Sequence, residues 1–145
     1  MYRYREGDEV RLLYEAICDG TYHGVPRGEP LVAAGTTGFV KHAGPFLDDL
    51  VYDVHFLAID RIVGCREREL IPADAAWTPP LYGKGNRIAA TVELAHNGTT
   101  LVRKGDAGKI TAVRYREEMG YVYEVTFDKT PTLVLALERQ VEPQS

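Results

Sequence analysis

Val51-Tyr52-Asp53-Val54-His55-Phe56 returns 71 residues later as Val122-Tyr123-Glu124-Val125-Thr126-Phe127. In both copies an aromatic, a valine and a phenylalanine alternate with polar residues, the period-two signature of a strand with one face in a core and the other toward water. Tyr52, Val54 and Phe56 are the expected core face, and His55 is expected to point outward. Reading back, Leu31-Val32-Ala33-Ala34-Gly35-Thr36-Thr37-Gly38 returns as Leu101-Val102-Arg103-Lys104-Gly105-Asp106-Ala107-Gly108 at an offset of 70, and Tyr4 to Val10 returns as Tyr82 to Ile88 at 78. Reading on, Glu67-Arg68-Glu69-Leu70 returns as Glu138-Arg139-Gln140-Val141. The chain is therefore a tandem repeat, and the fall in offset from 78 to 70 places eight extra residues in the first copy.

Further strands are expected over Val10–Tyr14 and Ile88–Val92, Gly38–His42 and Gly108–Tyr115, Ile62–Val63 and Leu133–Leu135. The stretches Ala43–Asp49 and Arg116–Gly120 read as hairpin loops, and Arg66–Glu69 and Leu137–Arg139 as single 3₁₀ turns before a last strand. Glycine in the Gly-x-x-Gly turns is expected to supply positive φ at a tight corner. A phosphate-cradling loop would have to open a helix, and β-branched and aromatic residues follow here. No segment carries a helical apolar period. The fold expected is all-β, two SH3-like barrels in tandem: residues 1–74 with a long first loop, a linker over 75–81, and residues 82–145. Domains this small bury only about 60% of their unfolded surface, so the two are expected to pack together, with Trp77 either wedged between them or capping the end of the first.

Charge is unevenly placed. Residues 1–78 hold 8 Lys and Arg against 13 Asp and Glu, and residues 79–145 hold 9 against 8, giving −5 and +1. Phosphate-backbone binding is driven by basic residues, so nucleic acid is not an expected partner of the first half; only Arg103, Lys104, Lys109, Arg114 and Arg116 could give the second a basic face. No apolar run approaches the ~20 residues of a membrane span, and the start Met1-Tyr2-Arg3-Tyr4-Arg5-Glu6 lacks the apolar run of a signal peptide. A cytoplasmic protein without a membrane partner is expected, its two cysteines kept as thiols.

Because the copies share a scaffold, function is sought where they differ. The first copy's loop, Cys18 to Pro30, is reduced in the second to the reversal at Ala95-His96-Asn97-Gly98. Asp19, Thr21, Tyr22, His23 and Arg27 are its candidate partner-binding residues. The loop can equally lie across its own barrel and do nothing else. Cys65 and Arg66 stand where the second copy has Ala136 and Leu137, and with the outward His55 they complete the candidate set. Cys65 reads either as a small buried hydrophobe or as a thiolate meeting iron transiently. Cys18, His23, His55 and Cys65 show no metal-ligand spacing, and no nucleophile elbow, dinucleotide turn or paired-carboxylate motif is present. No catalytic residue, metal site or cofactor is expected.

Gly7-Asp8-Glu9-Val10, Asp19-Gly20-Thr21-Tyr22-His23-Gly24, Leu31-Val32 with Gly35 and Gly38, Tyr52 to Phe56, and Val63-Gly64-Cys65-Arg66 with Glu69-Leu70 together resemble the NifZ family of nitrogen-fixation accessory proteins. The resemblance covers almost the whole chain; His23 departs from it, standing where the family pattern has proline. It implies a chaperone-like binder and not an enzyme, one that assists P-cluster maturation on the immature nitrogenase molybdenum–iron protein alongside other assembly factors. The opening, loop and closing Glu-x-Leu also resemble the variable chain of ferredoxin–thioredoxin reductase, which would imply a binding subunit of another Fe–S or redox enzyme. That chain is a single barrel, so the second copy counts against it.

Overall fold

The computed structural model of the chain describes residues 2–145. The chain separates into two compact units, divided between Pro79 and Pro80. The first holds β1 (Glu9–Leu12), β2 (Ala16–Ile17), β3 (Pro30–Val32), β4 (Thr37–Phe46), β5 (Asp49–Phe56), β6 (Arg61–Arg66), a 3₁₀ turn over Glu67–Glu69 and β7 (Leu70–Pro72). The second holds β8 (Arg87–Ala90), β9 (Leu94–His96), β10 (Thr99–Val102), β11 (Ala107–Arg116), β12 (Gly120–Phe127), β13 (Val134–Leu137), a 3₁₀ turn over Glu138–Gln140 and β14 (Val141–Pro143). Each builds one five-stranded sheet, ordered β6-β5-β4-β1-β7 and β13-β12-β11-β8-β14, with β2-β3 and β9-β10 as separate two-stranded ladders. All pairings are antiparallel. The protein is all-β, and the repeat seen in sequence is a repeat of topology.

The alternation that opens the sequence reading sets the cores. Tyr52, Val54 and Phe56 are fully buried, as are Tyr123 and Val125, with Phe127 at 1% exposure. Both units carry a register shift at the same place, between Val40 and His42 and between Ile110 and Ala112. The later slip in offset from 70 to 71 is made at the hairpin: Leu47 and Asp48 turn the first, whereas Glu117 to Met119 turn the second and Gly120 takes φ 77° behind them. A three-residue turn closed by a left-handed glycine is a common alternative to a two-residue one. The brief reversal at Asn97-Gly98 has both residues at positive φ, 49° and 79°, as an Asn-Gly hairpin turn requires.

Three expectations are corrected. The Ala43–Asp49 hairpin loop is shorter than expected, reduced to Leu47 and Asp48: Ala43, Gly44, Pro45 and Phe46 of β4 pair with Tyr52, Val51, Leu50 and Asp49 of β5. Proline is tolerated there because β1 reaches only Thr37–Phe39 of β4, so the far end of β4 has an open edge where a missing N–H costs no ladder bond. Arg116 and Gly120, read as loop, are likewise a ladder pair. In the Gly-x-x-Gly turns, only the first glycine has positive φ, 87° at Gly35 and 91° at Gly105. The second is required by space, since a Cβ at Gly38 would lie 2.8 Å from the His55 carbonyl oxygen and one at Gly108 2.9 Å from that of Thr126.

A buried phenol ties down the entry to each unit. Tyr52 Oη accepts from the Arg3 N–H at 2.9 Å and donates to Glu67 at 3.3 Å, with Tyr4 edge-on to its ring. Tyr123 Oη accepts from the Tyr82 N–H at 3.3 Å and donates to Glu138 at 2.6 Å, with Tyr82 edge-on in the same way. Trp77 lies against the first unit, its ring 5.3 Å from the Arg11 guanidinium carbon and so close to Gly35 that a Cβ there would fall 2.4 Å from it. The guanidinium also donates to the carbonyls of Gly35 and Ala73, at 2.8 and 3.2 Å.

Candidate partner-binding surface

The long loop joins β2 to β3 and is organised around Cys18. The Cys18 N–H donates to the Glu29 carbonyl and its own carbonyl accepts from the Gly28 N–H, both at 2.8 Å, closing the base of the loop. Its buried sulfur accepts from the Gly20 N–H and donates to the Val25 carbonyl, both at 3.4 Å. Asp19 accepts from the Thr21 N–H at 3.0 Å and from the Thr21 hydroxyl, an Asx-type turn. Those bonds, the hydroxyl's first, hold the Asp19 carboxyl below its ordinary range, with Arg27 adding a small share.

Tyr22 and Val25 are half-buried and pack on the first unit's core. Arg61, at the start of β6, fastens Tyr22 and the β3 end of the loop: its guanidinium carbon lies 5.9 Å from the Tyr22 ring centroid and Nη1 donates to the Leu31 carbonyl at 2.9 Å and the Pro30 carbonyl at 3.5 Å. The loop thus lies across its own unit while Asp19, Thr21, His23 and Arg27 remain exposed. Arg61 was missed from sequence. It has no marker beyond being a basic residue opening a strand, and its role arises only when β6 is brought beside the loop. Arg61→Ala is expected to lose one cation–π contact and the shared hydrogen bond to the Leu31 and Pro30 carbonyls, about 1–2 kcal/mol together. Hydrogen exchange should then quicken at the Cys18 and Gly28 amides with the β5 amides unchanged; uniform protection would show the loop holds without it.

The remaining candidates are carried by β5 and β6, and register separates them. Cys65 pairs with Tyr52 on the inner face and is 2% exposed. Burial, then the nearby Glu69 and Asp53 charges, push its thiol well above the ordinary cysteine range, so it is neither a ready nucleophile nor a ready metal ligand. His55 and Arg66 have the opposite parity. His55 Nε2 lies 2.9 Å from Asp60 Oδ1. Arg66 Nε lies 2.8 Å from Asp49 Oδ2, which Arg68 also reaches at 3.0 Å, and the bond from Arg68 is the main cause that holds the Asp49 carboxyl below its ordinary pKa range. The structure therefore gathers Asp19, Thr21, Tyr22, His23 and Arg27 in one loop, places His55 and Arg66 on the outer sheet face, and turns Cys65 into the core.

Among the described residues, no group of three or more His, Cys, Asp or Glu side chains is placed to hold a metal ion, and no helix is long and apolar enough to cross a membrane. In the second unit Arg114 is paired with Glu124 at 3.1 Å, which reduces the basic face available there.

Comparison with known proteins finds that a family model described as the NifZ domain matches residues 1–72, the span of the first copy. Protein NifZ of Azotobacter chroococcum mcd 1 is 44% identical over 127 residues, 86% of this chain and 80% of the relative. Protein NifZ of Klebsiella pneumoniae is 37% identical over 140 residues, 93% of this chain and 94% of the relative. The likeness to the latter thus runs through both copies.

Proposed function

The chain belongs to the NifZ family, and from that premise we propose that it is a non-catalytic, cytoplasmic assembly factor for nitrogenase, a chaperone-like binder assisting P-cluster maturation on the immature molybdenum–iron protein. The observation that carries this reading is the 37–44% identity to NifZ proteins over most of the chain. Each unit is read as a small SH3-like barrel; the placing of the first strand between β4 and β7, or β11 and β14, and the 3₁₀ turn before the last strand support it. Such a scaffold leaves recognition to its loops. The proposed contact residues are Asp19, Thr21, Tyr22, His23 and Arg27 of the loop with His55 and Arg66 of the sheet, while Cys65 serves the packing beneath. A pull-down from nitrogen-fixing cells, comparing the native chain with a folded Tyr22→Ala/Arg66→Ala variant, tests it. The native chain should retain immature molybdenum–iron protein and the variant should retain several-fold less. Absence of that protein from the native pull-down would remove the reading.

A further inference from the structure

The two units share a scaffold but differ on the outer face of the sheet. Register sets Phe39 beside His55 and His55 beside Ile62, a row across β4, β5 and β6. Phe39 and Ile62 are 37% and 51% exposed, and the turn after β5 adds Leu57 and Ile59 at 58% and 45%. The bond between His55 and Asp60 clips that turn to the row. At the offsets of the repeat, the second unit has Lys109 for Phe39, Thr126 for His55, Asp128 for Leu57 and Thr130 for Ile59, and only Leu133 keeps the character of Ile62. Lys109 and Thr126 pair as Phe39 and His55 do, so the fold does not need apolar residues at these positions. A cluster of exposed apolar side chains on a small soluble unit is a mark of an interaction surface.

Charge says what kind of surface meets it. Glu9 stands beside Phe39 in the next strand, Asp53 follows on β5, and the Asp60 side chain is 91% exposed. Lys41 is the exposed cation nearest along β4, and residues 1–78 carry a net charge of −5, from 8 Lys and Arg against 13 Asp and Glu. An apolar centre with an acidic rim is complementary to an apolar surface set among lysines and arginines.

We propose that the outer face of β4-β5-β6, centred on Phe39, His55 and Ile62 with Leu57 and Ile59, docks a protein surface that presents an apolar side chain flanked by basic residues. This rests on the assembly reading, in which that surface belongs to the immature molybdenum–iron protein, and deepens it by adding an anchor outside the long loop. The test is binding of purified immature molybdenum–iron protein to the full chain and its variants. Phe39→Ser/Ile62→Ser is expected to weaken the complex about tenfold or more, and Asp53→Lys to slow association at low salt but not at high salt. Leu135→Ser, an exposed apolar change in the second unit, should leave affinity unchanged. Trp77 fluorescence on denaturation checks the fold; should the strand variant unfold, Leu57→Lys/Ile59→Lys, confined to the exposed turn, carries the same expectation. Unchanged affinity in a folded patch variant overturns the docking face while the assembly reading stands. Failure of the native chain to bind overturns both. Self-association of the native chain that the patch variant abolishes would reassign the face to a second copy and overturn the proposal.

Discussion

Replacing Gly38 by alanine is expected to cost about 3 kcal/mol, as much as deleting a large core side chain. The added Cβ would meet the His55 carbonyl oxygen and Val54 Cγ1 at 2.8 Å and Phe56 Cδ1 at 3.0 Å. None of these is the free end of a flexible chain. Two belong to side chains that are fully buried, and the third is backbone in the ladder that joins β4 to β5. Relief therefore requires β4 and β5 to separate, which weakens the central pairing of the first sheet. The φ of Gly38 is not in the left-handed region, so the penalty is one of space and not of backbone conformation. Urea denaturation followed by the fluorescence of Trp77, the chain's one tryptophan, reports on the first unit. A Gly38→Ala midpoint within error of the native one would show that the strands give way more easily than this geometry implies.

Stability should fall steeply above pH ~8.5 for a reason located at Cys65. An unfolded cysteine ionises near pH ~8.5, whereas the folded thiol, 2% exposed and packed with Tyr52 and Val63, is held protonated to a much higher pH. Below the unfolded value both states bind the proton and the thiol contributes no pH dependence. Above it the unfolded state sheds a proton that the folded state keeps, so stability declines by about 1.4 kcal/mol per pH unit, or roughly 2.7 kcal/mol by pH ~10.5. Tyr4 and Tyr123, both raised chiefly by burial, act in the same direction from pH ~10 upward. Denaturation midpoints collected from pH 7 to 10.5 should show this limb in the native chain and a flatter one in Cys65→Ala below pH ~10. Equal slopes in the two proteins would mean that Cys65 is not the group responsible.

Legibility varied along the chain with the range of the interaction involved. The Tyr-x-Val-x-Phe stretches announced their own buried face because alternation is a local property of a strand. The 3₁₀ turns and the Asn97-Gly98 reversal were legible for the same reason, since a few consecutive residues decide them. Gly44 and Pro45 misled because they ordinarily punctuate loops; β4 accommodates them only because β1 ends short of them, a fact about a partner strand some thirty residues away. Tyr22 reads in sequence as an adaptable contact, and it becomes half-buried only once the loop is folded onto the core of its own unit, with Arg61 beside it. Cys65 could be placed in the core only by knowing that it registers with Tyr52 and not with Val51 or Asp53. That same one-residue distinction puts Arg66 and His55 on the outer face.

By itself the sequence determined the tandem repeat, the all-β class and the segment in which the copies differ, because periodicity, turn chemistry and internal similarity are all carried by neighbouring residues. Tertiary structure alone decided that the loop is fastened to its own unit by Arg61, that Trp77 lies over Arg11 and Gly35, that Cys65 is sealed from solvent, and that Phe39, His55 and Ile62 form one row on the outer sheet face. Each of these depends on strand register and on contacts between residues far apart in the chain, and a shift of a single residue in register would reverse which side chains meet water.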